Sequence, residues 1–212
     1  HAISALRLTD ADLQGDPSLN PKSGYKMLAL DGTGDYASIG SKSWQHFSDH
    51  KFTILARINR DALGAEAIFG KWVEAGNSRV FLLGIDSSNQ LELQVSNDGN
   101  ASSSVVSTPT ISTRDQVVAV TYDGGTVKMY RDGAELATTN STDTTIVDKA
   151  AAIHIGAADD ASLMTGDEGP VVLINKVLTR QEIIQATQRF NTPPLRDRRT
   201  AGVIRNRNRF AQ

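Results

Sequence analysis

Two Asp-Gly turns that lie close together constrain the fold of this chain more than any other feature. The first turn is Asp123-Gly124-Gly125, and the second is Asp132-Gly133. Alternating apolar residues flank both turns, and Asp-Gly between such runs is the strongest short-range signal for a β-hairpin. The segment from 120 to 138 is therefore predicted to form consecutive antiparallel strands.

Strand-like segments recur along most of the chain, with about 8–12 residues between turn signals, as in a β-sandwich. The clearest is Gln90 to Ser96, whose strict alternation predicts Leu91, Leu93 and Val95 on one buried face and polar side chains on the other. The remaining predicted strands are 25–30, 52–58, 67–71, 79–85, 103–107, 116–122, 126–131, 152–156 and 171–175, and residues 3–8 are a candidate for an extra first strand.

One helix is predicted near the end of this pattern, from Arg180 to Phe190. Thr179 and Glu182 have the spacing of a capping box, and apolar residues then repeat on one side. Pro193-Pro194 ends the helical pattern, because proline cannot continue a helix.

The composition agrees with a single large sheet domain. A length of 212 residues is typical of one all-β domain. The chain has no cysteine, which excludes disulfides and thiol chemistry. No apolar stretch approaches the roughly 18 residues that a membrane span requires.

Three segments of this chain, taken in order, resemble the laminin-G-like branch of the concanavalin-A-like lectin and glucanase superfamily. They are LALDGTGDYASIG at 28–40, IHIGA at 153–157 and GPVVLINKVLTRQEI at 169–183. The resemblance covers about residues 25–190 and implies an all-β, concanavalin-A-like jelly-roll β-sandwich of two antiparallel sheets, with one short C-terminal helix. An N-terminal extension at 1–24 precedes this sandwich domain at 25–190. The change of composition at Asn191 predicts an extended basic tail, the arginine-rich C-terminal arm at 191–212.

The carboxylates do not have the pattern of a glycosidase. Glycosidases of this superfamily resemble one another in a strand that carries acidic residues at alternate positions, where two carboxylates share a face. Here Glu92 is alone on its strand, and the side chains of Asp167 and Glu168 would point to opposite faces of an extended segment. His46 and His50 lack the third ligand of a metalloprotease. A non-catalytic protein is expected, and a polysaccharide hydrolase is the less favoured alternative.

Calcium is the one cofactor that the resemblance implies, because related jelly-rolls hold it near the point where the first and last strands meet. The candidate ligands are Asp31, Asp35, Asp167 and Glu168, and hard oxygen ligands suit calcium. The family usually has Asp-Glu directly before the last apolar strand, where this chain has Gly169-Pro170. The alternative is that Asp31 and Asp35 serve only as turn residues.

A glycan is the ligand to consider first for a domain of this kind. Sugar rings stack on exposed aromatic rings flanked by hydrogen-bonding side chains. Trp72, with Glu74, Asn77 and Arg79 nearby, is the best candidate for such a platform. The alternative is that Trp72 covers the edge of the core, as large aromatic residues often do.

The C-terminal arm differs sharply in charge from the rest of the chain. Residues 191–212 contain six arginines and one aspartate, a formal charge of +5, which leaves −7 on residues 1–190 of a chain with a net charge of −2. Such an arm is either a solvated tail, a nucleic-acid contact or a segment that docks on an acidic protein surface or a neighbouring copy. Nucleic acid is less favoured, because the body is acidic. The docking residues would be Arg196, Arg198, Arg199, Arg205, Arg207, Arg209 and Phe210.

The sequence therefore predicts a non-catalytic binding or structural module. By analogy of fold it is a virion component, such as a phage surface decoration or appendage, attached through its C-terminal arm. The alternative is a secreted or cell-surface carbohydrate-binding domain. Both hypotheses place the protein at a virion surface or outside the cell.

Overall fold

The computed structural model describes residues 3–5, 12–14, 18–20, 27–41, 51–139, 142–159 and 162–192. These residues form a β-structure with one helix. The elements are β1 (Ile3–Ala5), β2 (Asp12–Gln14), β3 (Ser18–Asn20), β4 (Met27–Asp31), β5 (Tyr36–Ile39), β6 (Lys51–Arg60), β7 (Glu66–Val73), β8 (Ser78–Ile85), β9 (Gln90–Val95), β10 (Ser103–Thr110), β11 (Gln116–Asp123), β12 (Thr126–Arg131), β13 (Ala134–Leu136), β14 (Thr138–Thr139), β15 (Ile153–Ile155), β16 (Thr165–Ile174) and the helix α1 (Arg180–Asn191).

The strands form two antiparallel sheets that pack face to face, which confirms the predicted sandwich. Sheet I has the order β13-β12-β11-β6-β16-β4-β3, and β1 pairs with the C-terminal part of β16. Sheet II has the order β14-β10-β9-β8-β7-β15-β5-β2. Strands distant in sequence therefore become neighbours, such as β16 beside β6 and β15 between β7 and β5.

The core lies between the inner faces of the two sheets. Phe52 and Tyr122 of sheet I stack with their ring centroids 5.3 Å apart, and Phe52 lies at the same distance from Phe81 of sheet II. Burial along β9 alternates as the sequence predicts, with Leu91, Leu93 and Val95 fully buried. Because the core fills the space between the inner faces, ligands have access to the outer faces of the sheets.

Both Asp-Gly turns are confirmed. Gly124 and Gly125 have φ angles of 57° and 99°, and they join β11 to β12 with Asp123 opposite Thr126. Asp132 and Gly133, at 52° and 82°, join β12 to β13 in the same way. Positive φ at both central residues matches the right-handed twist of the paired strands, which explains why these residue types occur here.

The helix α1 covers the outer face of sheet I. Its capping box is formed, because the amide of Glu182 donates to the Thr179 hydroxyl and the Thr179 amide donates to Glu182 Oε2. Ile183 is fully buried in a cluster with Leu55, Ala119 and Tyr130.

A buried arginine fixes the far end of the helix. Arg57 of β6 makes two parallel bonds to the carboxylate of Asp115, at 2.8 and 2.7 Å, and Nη1 donates to the carbonyl of Phe190 at 2.8 Å. The point from which the C-terminal arm leaves the sandwich is therefore tied to sheet I.

The sequence prediction differs from the structure mainly at the last strand. β16 begins at Thr165 and not at Val171, and a bulge lies between Glu168 and Val171, at Gly169-Pro170. Glycine and proline within a strand indicate such a bulge. The short strands β2, β3, β5 and β14 were not predicted. Residues 6–8, Tyr25, His46 and His50 lie outside the described residues.

Candidate functional site

A cavity of about 270 Å³ opens on the outer face of sheet II, where β7, β8 and β9 run side by side. Its floor is made of small and aliphatic residues, and polar side chains rise at its rim. The lining residues are Ala65, Glu66, Ala67, Leu82, Gly84, Ile85, Asp86, Ser87, Glu92, Gln94 and Ser162.

The pairing of the strands creates this cavity. Ala67, Gly84 and Glu92 lie opposite one another on three adjacent strands and form one row across the sheet. Because Gly84 has no side chain, the surface of the sheet has a depression at the middle of this row. A Cβ atom at Gly84 would lie 2.7 Å from the carbonyl oxygen of Glu66, which shows how closely β7 and β8 approach here. In the next row, Leu82 lies opposite Gln94 and forms one wall.

The rim carries a short polar array. Gln94 donates through Nε2 to Glu92 Oε2 at 3.1 Å, and its own Oε1 lies 3.5 Å from the hydroxyl of Ser102. Asp86 holds the β8–β9 turn, because Oδ1 accepts from the amides of Ser88 and Gln90 at 2.9 and 2.7 Å. The lining thus combines these carboxylate and amide groups with the exposed residues Ser87 and Ser162, beside an apolar floor.

Glu66 is the most buried polar residue of the lining, at 6% exposure. Its Oε2 accepts from Nε of Arg60, and its Oε1 accepts from the amide of Thr165 at 3.1 Å. Arg60 is itself buried and donates to the carbonyl of Gly64 at 2.7 Å. Arg60 therefore neutralises the charge of Glu66 from inside the sandwich. The Arg60–Glu66 ion pair lies at the base of the cavity.

The predicted glycan platform is placed differently from the expectation. The structure brings Trp72, Glu74, Asn77 and Arg79 together at the β7–β8 turn, but Trp72 belongs to β7 and is only 5% exposed. Arg79 lies opposite it, with the guanidinium carbon 5.8 Å from the ring centroid, and also pairs with Glu74 at 3.1 Å. Of the polar residues that suggested a loop, Glu74 and Asn77 belong to the turn that follows the strand, and Arg79 belongs to β8.

An exposed face of Trp72 is thus not present, and that part of the prediction is wrong. Its ring packs in a cluster with Ala67, Leu82 and Ala158. Two members of this cluster, Ala67 and Leu82, also line the cavity. Trp72 therefore supports the cavity from one side, in agreement with the alternative that it covers a packed edge. Asn77 adopts a φ of 52° and serves the turn.

The four candidate calcium ligands do not converge on one point. Asp31 Oδ1 accepts from the amide of Thr33 at 2.6 Å, which is the local turn that the alternative predicts, and Asp35 Oδ2 lies 3.4 Å from the amide of Asp31. Asp167 contacts Asn59 on the outer face of sheet I. Glu168, the next residue of an extended strand, points to the inner face.

Within the described part of the chain, no group of three or more histidine or acidic side chains is arranged to hold a metal. The four carboxylates therefore do not fit a shared site. Calcium binding remains a prediction of the resemblance alone.

Glu168 is buried among apolar groups, at 1% exposure. Neither carboxylate oxygen has a hydrogen-bond partner among the described residues. Burial, and in second place the charge of Glu66, raise the pKa of Glu168 well above its ordinary value. The neutral form is thus the one that the fold accommodates.

The sequence did not predict the cavity, but it did predict the orientation of two of the lining residues. The alternation of β9 places Glu92 and Gln94 on the solvent face, as the structure confirms. Gly84 and Ser162 become part of the same site only through pairing and loop placement.

In the docking arm, residues 193–212 lie outside the described residues. No helix in the described ranges is long and apolar enough to cross a membrane.

The family of this chain follows from sequence comparison. A family model of the concanavalin A-like lectin/glucanases superfamily, of the laminin-G type, matches residues 31–184. Because this match spans most of the chain, the protein belongs to that family. No curated protein matches the chain.

Solved structures with the same fold include binding domains of clostridial toxins. The binding domain of botulinum neurotoxin DC, solved in complex with rat synaptotagmin II, has a TM-score of 0.64 and 14% identity, covering 84% of this chain and 46% of that one. The same domain is also known in complex with SialylT, at the same score. The binding domain of Paraclostridial Mosquitocidal Protein 1 has a TM-score of 0.66 and 10% identity, covering 85% and 47%. This chain spans about half of the chains that it matches, and at these identities the likeness concerns the fold.

Proposed function

We propose that this protein is a non-catalytic carbohydrate-binding module, and that the cavity on the outer face of sheet II receives the sugar. The observation that carries the proposal is the combination of small and aliphatic residues with carboxylate, amide and hydroxyl groups in the lining of one cavity. Ligand sites generally have this character, with a few polar groups that fix orientation. A volume of about 270 Å³ is small for such a site and suits about one or two sugar rings.

The chemistry of a sugar fits these groups. Glu92 accepts hydrogen bonds, and Gln94 both donates and accepts, so together they match the vicinal hydroxyls of a pyranose. Ala65, which is exposed, and Leu82, at 9% exposure, offer apolar surface to the C–H face of the ring. Membership of a family that includes lectins supports this assignment. Two neighbours are a botulinum neurotoxin DC binding domain in complex with SialylT and botulinum neurotoxin type C, whose cell entry depends on interaction with two ganglioside molecules, and this chain matches 46% of each.

The lining carboxylates support binding and not hydrolysis. Both oxygens of Glu66 are engaged, by Arg60 and by the amide of Thr165, and Asp86 holds two amides of its turn. A glycosidase needs one carboxyl group to transfer a proton and a second to stabilise or activate the reacting centre. Glu92 is the one acidic residue of the described lining that is not committed to backbone or arginine contacts.

The test is binding of purified protein to a panel of immobilised oligosaccharides, followed by titration calorimetry on the strongest ligand. A variant with Glu92→Ala and Gln94→Ala is expected to lose about tenfold in affinity or more, because two hydrogen-bonding side chains are removed at roughly 1 kcal/mol each. The matched control is Lys128→Ala with Glu135→Ala, a polar pair at 3.4 Å on sheet I.

The control variant is expected to bind as the wild-type protein does. Retention of binding by the cavity variant would place the sugar elsewhere. Absence of binding to every glycan of the panel would contradict the proposed function. Release of reducing ends from a bound polysaccharide would overturn the non-catalytic assignment.

The hypothesis of a virion surface component depends on the C-terminal arm, and it remains a prediction from the sequence. It is compatible with a carbohydrate-binding sandwich, because the arm and the cavity belong to different parts of the chain: α1, which leads into the arm, packs on sheet I. Either context exposes the cavity to glycans outside a cell.

A further inference from the structure

The lining of the cavity has a marked imbalance of charge. It includes three carboxylates, on Glu66, Asp86 and Glu92, and no lysine, arginine or histidine among its described residues. A ligand in this cavity therefore experiences a negative potential unless a cationic side chain of the protein neutralises each carboxylate.

Among the described residues, one of the three carboxylates has a cationic partner. Arg60, with its side chain fully buried, pairs with Glu66. No ion pair within the described part of the chain involves Asp86 or Glu92. Asp86 receives two backbone amides on one oxygen, and Glu92 receives the amide of Gln94 on one oxygen. These are hydrogen bonds from neutral donors, so about two negative charges remain at the rim.

The remaining charge is accessible to a ligand. Glu92 is partly exposed and lies directly opposite Gly84, whose missing side chain leaves its flank open to the floor of the cavity. Its Oε1 has no hydrogen bond within the described residues, since the contact with Gln94 uses Oε2. An ammonium group held beside a sugar ring on this floor would meet that oxygen.

We propose that the cavity selects carbohydrates that carry a free amino group and disfavours acidic sugars, an inference that rests on the carbohydrate-binding function proposed above. The ammonium group of a glucosamine residue gains attraction from Glu92 and Asp86, and a uronic or sialic carboxylate is repelled by both. Opposite charges favour association, and like charges brought together disfavour it. The amide of Gln94 and the apolar floor contribute equally to neutral, basic and acidic sugars, so the charge decides among them.

The experiment compares four trisaccharides of matched β-1,4 linkage by titration calorimetry: the glucosamine trimer, its fully N-acetylated form, cellotriose and the trimer of cellouronic acid. At low ionic strength the glucosamine trimer is expected to bind roughly fivefold tighter than cellotriose, as suits a partly exposed charge pair, and the uronic acid trimer is expected to bind weakest. Salt at about 0.5 M is expected to remove most of the difference, because the screening length then falls below about 5 Å.

The variant Glu92→Gln keeps the shape of the side chain and removes its charge. It is expected to bring the glucosamine trimer close to the affinity of cellotriose and to leave cellotriose binding within about twofold. Glu135→Gln, the same change on β13 of sheet I, is expected to leave the order unchanged.

Two results overturn the inference in distinguishable ways. If the trimers bind and the acidic or neutral one is preferred, the selection for amino sugars is wrong, while the carbohydrate-binding function stands. If a panel that includes these trimers shows no binding at all, the proposed function fails and the inference fails with it.

Discussion

Glu168 is an acidic residue in an environment that disfavours its charged form. A carboxylate in water is strongly solvated, and burial without a partner makes the charged form costly. Both oxygens of Glu168 lack a hydrogen-bond partner among the described residues, and the charge of Glu66 disfavours ionisation further. The residue therefore links the stability of the sandwich to pH.

The direction of this link follows from the raised pKa of Glu168. Below the ordinary value of 4.5 the side chain is protonated in both the folded and the unfolded chain, and it contributes no pH dependence. Above 4.5 the unfolded chain loses this proton before the folded chain does, so the free energy of unfolding falls as pH rises until the folded pKa is passed. Glu168→Gln keeps the shape and cannot ionise. We expect the variant to match the wild type near pH 4 and to be more stable near pH 8, as measured by urea denaturation.

Glu135→Gln serves as the control for this prediction. Glu135 is exposed on β13, so its replacement is expected to leave the pH dependence unchanged. A wild-type protein and a Glu168→Gln variant with parallel stability curves from pH 4 to pH 8 would show that Glu168 gains a partner in solution.

The opposite orientations of Asp167 and Glu168 could be predicted from their sequence positions, because adjacent side chains of a strand point to opposite faces. The burial of Trp72 could not. Its ring is covered by Leu82 and Ala158, which come from another strand and from the segment after β15, and by Arg79 across the sheet. Local polarity indicated exposure, and tertiary packing decided otherwise.

At the scale of the elements, the helix and the hairpins were predicted most accurately. Their signals are local: the capping box at Thr179 and the two Asp-Gly turns specify backbone geometry within a few residues. The start of β16 was missed for the opposite reason. Gly166 and Pro170 disfavour a strand locally, yet β16 pairs with β4 and β6 on its two sides.

Gly166 illustrates the tertiary constraint in β16. Its φ is 130°, and an added Cβ would meet the carbonyl of Asn59 and lie 2.9 Å from the Cα of Arg60. Glycine is therefore required at position 166, where β16 runs close beside β6. The strand β6 also supplies Arg60 at the base of the cavity.

The N-cap of α1 gives a direct test at this scale. Thr179→Ala removes the hydroxyl that accepts the amide of Glu182, so we expect the free energy of unfolding to fall by about 1 kcal/mol. Thr179→Ser keeps the hydroxyl and is expected to stay close to the wild type. Urea denaturation at neutral pH distinguishes the two. Equal losses for alanine and serine would show that packing of the threonine methyl group, and not the cap, stabilises the helix.

For the whole molecule, the sequence predicted the architecture but not the arrangement that forms the cavity. Regular strand spacing and the resemblance indicated a two-sheet sandwich, which the family match and the structure confirm. The order of strands within each sheet depends on long-range pairing, such as β15 with β7, and leaves no local pattern. The cavity follows from that order, because it needs three adjacent strands and Ser162 from a distant loop.

The distribution of charge over the whole chain leads to the last prediction. The body carries −7 and the arm after Thr192 carries +5, so attraction between the arm of one copy and the body of another is electrostatically favourable. A chain that ends at Thr192 keeps α1 intact, because the Thr192 amide and hydroxyl bond the carbonyls of Arg189 and Gln188. We expect light scattering to show an oligomer for the full-length protein and a monomer for the shortened one. The oligomer should dissociate as salt rises, since screening weakens the attraction.

A full-length variant with all six arm arginines replaced by glutamine is expected to behave as the shortened chain does. Monomers in every case would exclude self-association through the arm and leave a solvated tail, a nucleic-acid contact or a foreign acidic surface as the alternatives.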